Sequence, residues 1–325
     1  ETRMNNFSIG KKLINIATKQ KAFLAIVVML VIMLFSKTNF YTAYNLFDLM
    51  KSVSVLMILA FGVTLVLVAG GCDLSIGGIM VLSGIVAIKL MNADVPMLIS
   101  ILAALLMGAV VGAINGYLVV YQRTEPFIIT LGMGMLLTGI AQQLTDAHPV
   151  PCKHPTFVTL ANGKLFDTIP NLVIVMLVVF FIIHYILRYT SFGRNCYAIG
   201  GDYEVAKYSG INVLPIKAAT FVVCGITAAL GGVMLSSMLN SGSSTYGDTT
   251  ALVVNCGVVV GGTSFAGGIG SAPQSAIGLL VFGVLQNSMN MLGIDAYVQQ
   301  ILQGIVIVAI ICLDCYGRKR KREAV

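Results

Sequence analysis

RYTSFGRNCYAIGGDYEVAKYSGINVLPIK, residues 188–217, is a polar stretch set between apolar runs long enough to cross a membrane. It predicts one short amphipathic helix over 203–209. Gly200 and Gly201 break the preceding chain, and Asp202 can cap a helix through its side-chain oxygen. Glu204 in the first turn and Lys207 in the last complement the helix dipole. Ser209 ends the helix, and Gly210 can close it in a left-handed conformation. Two turns are too short to persist alone in water. Tyr203 opens this helix, and Val205 and Tyr208, three apart, share a face that nothing local covers. Such a helix is explained by docking, and on the cytoplasmic side its partner would be a soluble protein pressed against a membrane protein. Ala206 is expected to be small because that partner approaches closely there.

The rest of the chain supplies the membrane. Hydrophobic residues make up 57% of the 325 and charged residues 10%, with a mean hydropathy of +0.92. A soluble core of this size would still need a charged surface, so the excess apolar surface must face lipid. The net charge of +7 does not indicate nucleic acid, because the basic residues collect at the chain ends and in a few loops. No cleavage site follows the first apolar run, which is expected to remain as a helix.

Ten spans are predicted, at 22–35, 49–70, 76–91, 97–120, 127–144, 171–189, 216–239, 250–262, 273–292 and 297–313. The first and eighth are short enough for one of them to be a half-span. An even count puts both termini on one side. If that side is inside, the inner segments carry fifteen basic residues: Arg3, Lys11, Lys12, Lys19, Lys21, Arg123, Arg188, Arg194, Lys207, Lys217 and the five at 318–322. Five lie outside, Lys37, Lys51, Lys89, Lys153 and Lys164. The positive-inside rule then makes the termini and loop 188–217 cytoplasmic. The predicted organisation is an N-terminal segment 1–21, a transmembrane domain 22–315 with an external loop 145–170, and a basic tail 316–325.

Of the seven cysteines, only Cys152 falls in the external loop, so it has no partner in an oxidising compartment and should be reachable from outside; Cys196 should be reachable only from inside. Cys312-x-x-Cys315 lacks further ligands, and no metal site is expected. The spans are nearly free of acids. Asp73 is placed in an inner turn at the membrane surface, where it would cap the third span or pair with a basic residue. His184 is expected to be packed. The remaining intramembrane polar residues are neutral. Asn115, Asn255, Gln286, Asn287, Asn290, Gln299, Gln300 and Gln303 can donate and accept, as a path for a polyhydroxylated solute requires. The same amides could equally bind helices together.

Gly108-x-x-x-Gly112-x-x-x-Gly116 reads as a close-packing stripe. VVVGGTSFAGGIG, 258–270, lacks the Lys-Ser/Thr of a phosphate loop, and no Walker A motif occurs. ATP, if used, is hydrolysed by another polypeptide.

Four segments in order, VTLVLVAGGCDLSIGGIMVLSG (63–84), YAIGGDYEVAKYSGINV (197–213), VVVGGTSFAGGIG and NMLGIDAYVQQILQG (290–304), resemble the integral permease subunit of ribose-type sugar ABC importers. The resemblance runs from about residue 20 to 315. It implies an all-α, BtuC-like permease of ten helices in the bacterial inner membrane, paired with a second copy of itself. It also implies a cytoplasmic tandem ATPase that hydrolyses ATP-Mg and a periplasmic sugar-binding protein. Gly200, Gly201, Glu204, Ala206, Ser209, Gly210, Ile211, Asn212 and Val213 match the family's coupling loop, and Asp73 its GG-x-DLS turn. One segment departs: the family reads close to Glu-Leu-Asp-Ala-Ile-Ala-Ala where this chain has Asp248-Thr249-Thr250-Ala251-Leu252-Val253-Val254.

The expected function is therefore import of a monosaccharide of the ribose, allose or galactose kind by alternating access, in a subunit that is not an enzyme and needs no cofactor of its own. The alternative is an ion-coupled secondary sugar transporter. That class shows membrane-embedded acids or broken-helix ion sites, and no acid is expected to be buried here.

Overall fold

The computed structural model describes residues 39–165, 168–247 and 249–308, together with 26, 27, 29–31, 33 and 34. The N-terminal segment 1–21, most of the first predicted span, Asp248, Cys312, Cys315 and the tail 316–325 lie outside the described residues.

Twelve α-helices are described from residue 43 onward. They are α1 (Ala43–Val68), α2 (Ile76–Asn92), α3 (Met97–Gly116), α4 (Pro126–Thr145), α5 (Phe157–Asn162) and α6 (Asn171–Tyr189). They continue as α7 (Ser191–Gly201), α8 (Tyr203–Tyr208), α9 (Val213–Leu239), α10 (Thr250–Val260), α11 (Ala272–Met291) and α12 (Ala296–Val308). Five are long and apolar enough to cross a membrane: α1, α3 with its continuation to Tyr121, α4, α6 and α9. α2 and α12 are shorter apolar helices. α10, the short eighth predicted span, has 11 residues, or about 16 Å of helix, half the thickness of a bilayer core.

Two helices form the centre. α1 from Val53 onward and most of α9 are buried, which their all-round apolarity permits. α3, α4 and α6 lie around them and expose Leu102, Leu106, Ile128, Met135, Phe181 and Ile182 outward, as lipid contact requires. The glycine stripe of α3 does what its spacing predicts. A Cβ on Gly108 would fall 2.4 Å from the Gly225 carbonyl oxygen, and one on Gly112 2.3 Å from that of Phe221. α3 therefore meets α9 backbone to backbone. His184 is packed as expected, stacked on Phe180 with ring centroids 5.8 Å apart.

The predicted loop 145–170 is folded rather than open. Strand β1 (Val150–Pro151) pairs with β4 (Ser241–Gly242), and β2 (Lys164–Leu165) with β3 (Ile169–Pro170). The Ser237 hydroxyl donates to the Phe157 carbonyl at 2.6 Å and accepts the Ala161 N–H at 3.0 Å, tying α5 to the end of α9. This overturns the expected accessibility of Cys152. It is buried among Ala87, Ile88, Met91 and Phe157.

Candidate functional site

The stretch 188–217 carries two helices, not one. α8 is formed as predicted: Asp202 Oδ1 accepts the Val205 N–H at 3.0 Å, and Gly210 closes the helix at φ +82°. Missed was α7. Thr190 caps it by accepting the Gly193 N–H, and Phe192, Cys196 and Ile199 recur at i, i+4, i+7, the signal that could have found it. Burial pushes the Cys196 thiol up to about 12, so the expected reactivity of Cys196 from inside is also corrected.

α8 presents its apolar residues outward. Val205 is 60% and Tyr208 84% exposed, with Glu204 and Lys207 beside them. Ala206 points the other way. It is 2% exposed and packs with Ile199, Ile211, Val213 and Ile216 of its own chain, so its small size reflects internal packing and not a partner's approach. Between α8 and the ends of α3 and α4 lies a cleft of about 320 Å³ whose polar lining includes Arg123, Thr124, Glu204, Lys207 and Lys217.

Behind α8, glycines from three distant parts of the chain converge. A Cβ on Gly200 would fall 1.9 Å from the Val68 carbonyl oxygen and 2.5 Å from Gly268 N. One on Gly267 would fall 2.9 Å from Gly70 Cα. The Gly268 N–H donates to the Val68 carbonyl at 2.9 Å, the Tyr197 hydroxyl to the Gly270 carbonyl at 2.6 Å, and Lys217 Nζ to the Gly70 carbonyl at 3.0 Å. The run 258–270 is thus a backbone junction joining α7 to the end of α1. Gly267 and Gly268, at φ +92° and +73°, also occupy a conformation that side chains resist.

Past that junction the chain turns from α1 into α2 through Asp73. Contrary to its expected place at the surface, Asp73 is fully buried. Its Oδ1 accepts the Ser75 N–H at 2.9 Å and the Ser75 hydroxyl at 2.6 Å. Asn115 Nδ2 donates to Ser75 Oγ at 2.8 Å, and Asn255 Nδ2 to the Asp73 carbonyl at 3.0 Å. The Leu74 N–H donates to Thr130 Oγ1 at 3.0 Å. No ion pair of Asp73 is found among the described residues. The expectation that the chain buries no acid is therefore corrected as well.

The candidate path amides separate into two groups. Asn115 and Asn255 belong to the Asp73 turn. The others join α11 to α12 and to the start of α1. Gln299 Nε2 donates to Asn290 Oδ1 at 2.9 Å, and Asn45 and Asn287 exchange hydrogen bonds at 2.9 Å. Gln286 donates to Gln299 and accepts from Gln303, while Gln300 is exposed. Each of them except Gln300 hydrogen-bonds at least one other side-chain amide.

Residues 45–311, from the first turn of α1 to beyond α12, match the family described as the permease component of the branched-chain amino acid transport system. The chain belongs to this permease family. It is 36% identical to the ribose import permease of Escherichia coli over 91% of its own length and 93% of that protein. It is 34% identical to the ribose import permease of Haemophilus influenzae over 98% of both chains. To the D-allose transport system permease of E. coli it is 35% identical over 86% of both. No solved structure matches the chain. As a permease of this family with five membrane-length apolar helices, it is a multi-pass membrane protein.

Proposed function

We propose that this permease is the membrane-spanning subunit of an ATP-binding-cassette importer and passes a monosaccharide of the ribose or allose kind inward by alternating access. The observation that carries the reading is the near end-to-end similarity to ribose and allose permeases, joined to a short helix that leaves Val205 and Tyr208 uncovered. In this reading α8 docks on a separate ATPase that binds and hydrolyses ATP-Mg. An outer binding protein delivers the sugar, and two copies of the chain form the path. The permease itself is no enzyme. The ten-helix, BtuC-like arrangement, cytoplasmic termini and an inner-membrane location complete the proposal, and the 15-to-5 basic asymmetry supports the orientation. The glycine junction ties α7, the helix immediately before α8, to the end of α1. Reconstitution with the ATPase and binding protein, followed by uptake of labelled ribose, allose, galactose and arabinose, tests it. ATP-dependent uptake of one of these sugars is expected. Uptake driven by an ion gradient without ATP would overturn it.

A further inference from the structure

Two buried acceptors at the turn between α1 and α2 have no hydrogen-bond donor. Asp73 Oδ1 accepts two bonds, but Asp73 Oδ2 has no partner and neither does Asn115 Oδ1, and both residues are completely buried. These two atoms belong to one linked cluster, Asp73–Ser75–Asn115, in which the Ser75 hydroxyl already spends its single proton on Oδ1. Buried acceptors are seldom left empty, and an ionised carboxylate in such a place requires a cation that the described residues do not provide. The titratable groups around it are thiols: Cys72 in the same turn, Cys224 on α9 and Cys256 on α10. Thiols are weak donors and carry no positive charge.

We infer that Asp73 is a proton-binding site, holding a resident proton on Oδ2 so that the turn is braced by a neutral carboxylic acid. The proton converts an orphan acceptor into a donor and removes the need for a counter-ion. Burial favours that form and raises the carboxyl above its usual range, while the two bonds from Ser75 and the weak S–H donor of Cys224 pull the other way. Because the group is sealed from water, the proton stays in place through the transport cycle rather than being moved with the solute. That separates this buried acid from the membrane acids of ion-coupled carriers.

The full chain in lipid nanodiscs is read by infrared spectroscopy at about pH 8, where exposed carboxyls are ionised. A protonated-carboxyl stretch is expected that moves in D₂O, moves on labelling the wild-type chain with carboxyl-¹³C aspartate, and vanishes in Asp73→Asn. The labelling requires no variant to fold. A spectrum without that band, or a band insensitive to the aspartate label, overturns the inference. Asp73→Asn, which supplies a neutral donor of the same shape, is expected to keep its thermal stability and, in the assembled transporter, uptake within about twofold. Asp73→Leu should lose about tenfold or more. Stabilisation by sodium over choline in the wild type that disappears in Asp73→Asn would show a cation in place of the proton and refute the assignment.

Discussion

Replacing Tyr208 by Ala separates docking from folding, because this ring touches little of its own chain. A tyrosine side chain offers about 200 Å², and 84% exposure leaves roughly 170 Å² for a partner. At about 25 cal/mol per Å² complete burial would contribute about 4 kcal/mol. Side-chain ordering and imperfect fit reduce that to about 1–3 kcal/mol, or a loss of affinity for the ATPase of about 5- to 150-fold. The permease's own melting temperature should not move. Ala206→Leu, one turn position away on the opposite face, should do the reverse. It forces three carbons into a site 2% exposed among Ile199, Val213 and Ile216, at a cost of about 1–3 kcal/mol to the local fold. Both variants are purified in nanodiscs, melted, and titrated with immobilised ATPase. If Tyr208→Ala binds within twofold of wild type, or melts as low as Ala206→Leu, the outward docking face is refuted.

Gly112→Leu should lower yield and melting temperature, since its Cβ alone would lie 2.3 Å from the Phe221 carbonyl oxygen; Gly201→Ala, with open space around the new Cβ, should melt like wild type. On a cysteine-free background, Lys164→Cys should react with an impermeant maleimide in intact spheroplasts, and Tyr208→Cys only after lysis; the opposite pattern would invert the topology. Both positions are exposed, unlike Cys152 and Cys196. A chain retaining only Cys196 should alkylate very slowly at pH 8, because burial disfavours the thiolate and a thiol near 12 is about one part in 10⁴ ionised there. Its rate should rise with pH and jump on unfolding, and alkylation at the pace of a free cysteine would contradict the buried α7.

The membrane class, the bounds of most of the described apolar helices and α8 were legible in the sequence because each depends on neighbouring residues. Run length against bilayer thickness marks α3, α4 and α6 to within a few residues, and Asp202, Glu204, Lys207 and Gly210 mark α8 by local capping and charge. The Gly108, Gly112 and Gly116 stripe announced a close crossing, though not that α9 would be its partner. Hydropathy alone could show Val205 and Tyr208 as uncovered but could not tell which side of so short a helix Ala206 would face. Asp73 shows the limit most clearly. By sequence it is an acid beside two span ends and should meet water; in the fold, Asn115, Thr130, Cys224 and Asn255 close over its turn from α3, α4, α9 and α10. The sequence alone determined that the chain lives in a membrane and carries a short capped helix at 203–208, since apolar length and end-capping are local properties. Only the tertiary structure decided which polar groups are sealed from water, because burial is set by helices that arrive from far along the chain.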